Sequence, residues 1–149
     1  MKRIYLALAI VLFALFTSVV ALAADAQLVF VVSKDQAHTK IDAAQVRNIY
    51  LGKSSFWPDG TPINAYARPL DAPAGIAFLK QVVRMTPVRF KHHWAGLKLS
   101  GQAMDLSMVG DPAQLGARVA SNKGAIGYVL SSETHALDKN QVHLITLAL

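Results

Sequence analysis

Cysteine is absent from the 149 residues, and glutamate occurs once, as Glu133. The first absence excludes disulfides, thiolate metal centres and the acylated cysteine of a lipoprotein. No Gly-x-Ser-x-Gly elbow is present, and Asp105 and Asp111 form no recognisable acid/base pair with the lone glutamate. No enzyme is therefore expected. The histidines lack the His-x-x-x-His spacing of a metal site. His92 and His93 are adjacent, so on a helix they point about 100° apart. Neither a metal nor any other cofactor is expected. Internal repeats, low-complexity tracts and linkers are also missing, which leaves one domain.

What is present begins with an apolar leader. Lys2 and Arg3 precede a nearly unbroken apolar run from Ile4 to Phe16, and Ala21-Leu22-Ala23 follows. A charged start, an apolar middle and an A-x-A site read as a secretory signal peptide over residues 1–23, cleaved after Ala23. A retained membrane anchor is the alternative reading of the same run. The domain then covers 24–149, about 126 residues, enough for a real core. The expected location is the periplasm. Without Lys2 and Arg3 the formal charge falls from +6 to +4, a balance that favours small anions or acidic partners. The basic residues are scattered rather than clustered in runs, so no nucleic-acid role is expected.

Along the domain, strands and helices alternate. Gln27–Ser33 is an apolar, β-branched strand. Asp42 with Gln45 forms a capping box, Val46, Ile49 and Tyr50 follow at helical spacing, and Gly52 supplies a stop. Pro58-Asp59-Gly60 marks a turn, and Ile63–Arg68 a strand. Pro73 opens a helix with Ile76, Leu79 and Val83 on one stripe. Thr86-Pro87 caps the next, with Phe90, Trp94 and Leu97 inward. Gln102–Val109 reads as extended. Asp111-Pro112 starts a helix that buries Leu115 and Val119 and ends at Asn122-Lys123-Gly124. Strands follow at Ala125–Leu130 and Val142–Leu147. The alternation implies an α/β layer fold with a mixed, mostly parallel sheet flanked by helices.

Two islands carry a resemblance. The first is Val46-Arg47-Asn48-Ile49-Tyr50-Leu51-Gly52-Lys53 with Phe56-Trp57-Pro58-Asp59-Gly60-Thr61-Pro62. The second is Gly124-Ala125-Ile126-Gly127-Tyr128-Val129. In this order and spacing the chain resembles the periplasmic substrate-binding proteins of phosphate ABC transporters, from near Gln27 to its C-terminus. It has room for one lobe of such a type II binding protein, the second. The family pattern for the ligand-gripping segment is Arg-x-x-x-Ser-Gly-Thr-x-x-x-Phe. The stretch from Arg68 to Phe78 matches its spacing, but Ala72, Pro73 and Ala74 replace Ser, Gly and Thr. Two hydroxyl donors and one backbone N–H are lost. Each lost bond to a charged group is worth about 1.5–3 kcal/mol.

The resemblance implies an anion site of Arg68 with the backbone N–H groups of Ala74 and Gly75, for phosphate or another small anion. Read from the residues alone, Arg68 is a salt-bridged or exposed residue at a strand end. The expected function is solute binding for a transport or sensing system, with a membrane transporter or sensor as partner. A homodimer would supply the missing second wall. The alternative is a ligand-free interaction module docking on a membrane sensor, porin or transporter, with Trp57 on the partner surface.

Overall fold

The computed structural model describes residues 26–36, 40–102 and 106–147. The expected leader, His38 and Asp105 lie outside the described residues. Five strands form one mixed sheet in the order β3-β2-β4-β1-β5. They are β1 (Leu28–Ser33), β2 (Asn64–Ala67), β3 (Leu106–Met108), β4 (Ala125–Leu130) and β5 (Val142–Thr146). β2 runs parallel to both β3 and β4, whereas β1 is antiparallel to β4 and β5. β1 lies between β4 and β5 and is buried along its whole length. Leu28, Phe30 and Val32 face one layer of core and Val29 and Val31 the other, so both faces must be covered.

Three helices cover the first face. α1 (Ala43–Tyr50) begins at the expected capping box, in which Asp42 accepts from the Gln45 N–H at 2.7 Å and Gln45 accepts from the Asp42 N–H at 3.0 Å. α2 (Pro73–Phe78) starts at Pro73 as expected and runs on through a π-helical turn, Leu79–Val83. The expected stripe holds only in part: the buried face runs through Ala74, Phe78 and Val82, with Leu79 and Val83 beside it, and Ile76 lies off that face in solvent. α3 (Pro87–Leu99) is capped by Thr86 and buries Phe90 and Trp94. The end of α1 is sealed by α3, because His93 Nε2–H donates to the Leu51 carbonyl at 2.8 Å and Trp94 Nε1–H to that of Tyr50 at 3.2 Å. Those carbonyls have no partner within their own helix. The adjacent His92-His93 pair thus includes a helix-sealing residue.

α4 (Pro112–Ala120), capped by Asp111, covers the second face with Leu115 and Val119. The last element before β5 is a 3-10 turn, Ser131–Ala136. The sequence pattern gave no sign of it, since it buries none of its residues and shows no apolar period. An aromatic cluster sits beneath the helices: Phe78 stacks on Tyr128 at 4.3 Å, and Tyr50 meets both edge-on.

Candidate functional site

Because β3, β2 and β4 are parallel neighbours, their C-terminal ends open on the same side of the sheet. The loop 68–72 after β2, the loop 109–111 after β3 and the 3-10 turn after β4 therefore gather there. In open sheets of this kind ligands bind outside the carboxyl ends of the strands. Val109 N–H donates to the Ala67 carbonyl at 2.8 Å, tying the first two of these loops together.

Arg68 leaves the end of β2 and is 5% exposed. Its backbone N–H donates to the Tyr128 hydroxyl at 3.1 Å. Its guanidinium forks onto Glu133, with Nη2 to Oε1 at 3.0 Å and Nη1 to Oε2 at 3.3 Å. Glu133 Oε2 also accepts from the Leu130 N–H at 2.9 Å, so the carboxylate closes its own turn while it neutralises Arg68. A bidentate pair of this kind is directional as well as electrostatic. Of the three guanidinium nitrogens, Nε is buried without a partner. Sequence reasoning passed over Glu133 as a partner. The two residues are 65 apart, and nothing but its being the single glutamate singled it out.

Ala74 and Gly75 lie in the first turn of α2, both buried, with no side chain capping that helix start. Gly75 is required by packing, since a Cβ there would run into the Pro69 carbonyl oxygen. That contact presses the helix start against the loop leaving Arg68. The structure thus brings Arg68, Ala74 and Gly75 to one side of the sheet, with Arg68 held by an internal carboxylate.

Trp57 is turned inward at 6% exposure, and its indole N–H donates to the Gly124 carbonyl at 3.0 Å. The Pro-Asp-Gly turn forms, with Gly60 N–H on the Trp57 carbonyl and Trp57 N–H on that of Thr61. Trp57 therefore holds the turn to the sheet, and the aromatic offered to solvent here is Phe56, at 64% exposure. The two sequence islands meet at this point. Gly124 receives Trp57 and the Asn64 N–H, and a Cβ on it would strike the Pro62 carbonyl oxygen.

Two phenols support the site from below. The Tyr50 hydroxyl donates to the Tyr66 carbonyl at 2.8 Å. Burial pushes the Tyr50 phenol well above its ordinary value, and the neighbouring Tyr128 adds to the rise. Tyr128 is likewise pushed up by burial, against the opposing pull of Arg68. Both remain neutral, and neither is poised for proton transfer near neutrality. Among the described residues, no group of three His, Asp or Glu side chains is placed to hold a metal ion.

Sequence comparison matches the chain to no protein family and to no curated protein. By structure it is similar to an ABC-type phosphate transport receptor from Vibrio cholerae, with a TM-score of 0.56 at 17% identity. It is also similar to PstS from Borrelia burgdorferi, with a TM-score of 0.62 at 14% identity. These matches cover 81% and 82% of this chain but only 46% and 47% of the receptors. The chain therefore has the fold of a single lobe and spans about half the length of those proteins.

Proposed function

We propose that the chain is a periplasmic solute-binding-like protein that holds a small anion for a membrane transporter or sensor. The observation that supports this reading is that Arg68 at the end of β2, and the uncapped helix start at Ala74 and Gly75 beyond the next loop, both follow the carboxyl end of a parallel strand. Support comes from the likeness to one lobe of phosphate receptors and from the basic balance of the chain. The site is nevertheless poorly fitted to inorganic phosphate. Its two hydroxyls are replaced, Pro73 has no N–H to give, and the charge of Arg68 is already answered by Glu133. An organic anion with a single negative charge fits better than a dianion, which would have to compete with that carboxylate and with the nearby Asp71. Calorimetric titration of phosphate into the chain freed of residues 1–23 tests the reading. Weak phosphate binding, lost in Arg68→Ala and tightened at least tenfold in Glu133→Gln, is the expected result. Phosphate binding that ignores both changes would place the anion elsewhere.

A second reading, docking on an acidic partner, is favoured by one specific observation. Between Asp71 and Asp105 the chain carries Lys80, Arg84, Arg89, Lys91 and Lys98 and no carboxylate. All five are exposed, and none forms an ion pair among the described residues. Apolar Ile76, Val88 and Leu99 stand exposed among them, with Leu99 at 91%.

A further inference from the structure

A cleft of about 600 Å³ lies between the loop after β2, helix α3 and strand β3. This is within the size range of small-molecule sites. Its walls are mainly apolar, built from Phe90 and Trp94 of α3 and from Leu106 of β3. Among the described residues, its charged lining is Lys91 and Lys98 on α3 and Asp71 on the facing loop. On a helix, residues 91, 95 and 98 share one stripe. Ala95 therefore sits between the two lysines, and its short side chain leaves the mouth open where the two ammonium groups can converge. Both lysines are exposed, and neither is engaged in an ion pair among the described residues. Lysine stems can lie along apolar walls while the charged heads stay at the rim.

We propose that this cleft binds an amphipathic monocarboxylate, with its apolar body against Phe90, Trp94 and Leu106 and its carboxylate between Lys91 and Lys98. The inference goes beyond the Arg68 reading: it adds a separate anion site, lined by none of Arg68, Ala74 and Gly75, and names its ligand class. Among the described lining residues, two cations against one Asp71 carboxylate leave a single positive charge to be neutralised, which selects a monoanion. The apolar walls disfavour phosphate, whose oxygens would find few donors there. A second copy of the chain is disfavoured at this face, because like charges would meet.

The test uses a Trp57→Phe background, so that Trp94 is the one reporting indole. Decanoate, kept below its micelle concentration, is titrated while indole emission is followed, with decanol as the uncharged comparator. Saturable binding of decanoate, at least tenfold tighter than decanol, is expected. Lys91→Gln with Lys98→Gln removes that preference, and Ala95→Phe, which plugs the mouth, removes binding of both. Circular dichroism confirms that the variants fold, and the surface lysine pair serves if Ala95→Phe does not. Absence of a saturable response, or one that survives the lysine double change undiminished, overturns the proposal. Arg68 lines no part of this cleft, so failure of the phosphate titration and failure of this one are separate results.

Discussion

Arg68 shows how a buried cation is made tolerable. With its side chain 6% exposed, the guanidinium charge would be costly to bury without a close counter-ion, and Glu133 supplies one through two bonds. Removing one partner of such a pair leaves the other charge uncompensated. Glu133→Ala is expected to destabilise the domain by about 3 kcal/mol, and Glu133→Gln by clearly less, as read by urea unfolding. Tyr50 and Tyr128 make a second residue-scale prediction. Both phenols titrate above their usual value of about 10 when folded, because burial penalises the phenolate. The unfolded chain releases these protons first. Stability owed to them is intact below pH ~10 and falls as pH rises further. Unfolding midpoints measured from pH 8 to 11.5 should decline at the alkaline end, less steeply in Tyr50→Phe.

At the scale of elements, caps decide where helices begin and cross-element bonds decide how they end. The starts at Asp42, Thr86 and Asp111 follow from side chains that accept their own helix's N–H groups. The ends do not follow from local sequence in the same way. α1 finishes against His93 and Trp94 of α3, and the segment after α2 widens into a π-turn and closes at Arg84 with φ of 57°. A side chain in that left-handed conformation is strained by roughly 1–2 kcal/mol. Arg84→Gly relieves the strain at some cost in unfolded-chain entropy. A net gain in stability of about 0.5–1 kcal/mol is expected, visible as a raised thermal midpoint. No change would mean that the Arg84 side chain makes a compensating contribution.

At the scale of the molecule, charge is unevenly distributed. The stretch between Asp71 and Asp105 holds five of the 15 basic residues and none of the nine acidic ones. On α3, Val88 and Leu99 are eleven residues apart, which places them about 20° from each other around the axis and roughly 16 Å along it. The outer face of this helix is therefore basic with an apolar residue near each end. If this face docks on an acidic partner, association should weaken at least tenfold between 50 and 500 mM salt, as surface charges are screened. Salt-insensitive association would point to the apolar residues instead. The same face carries Lys91 and Lys98, so an occupied cleft and a docked partner would compete for the same charges.

The order of strands and helices, most helix starts and the core positions of α1, α3 and α4 were readable from the sequence. They rest on local rules: alternation in β1, capping pairs, proline at first helical positions, and apolar spacing in α1, α3 and α4. The resemblance carried by the two islands anticipated the single-lobe fold for a related reason, since Trp57, Pro62 and Gly124 form one contact within it. Only the tertiary structure decided what each charged or aromatic residue does. Trp57 turned inward, Ile76 outward, Arg68 found Glu133, and Lys91 and Lys98 came to border a cleft. Trp57 and Arg68 meet their partners across 67 and 65 residues of chain. Local periodicity reports which face of an element is apolar, but it carries no information about the element that comes to lie against that face.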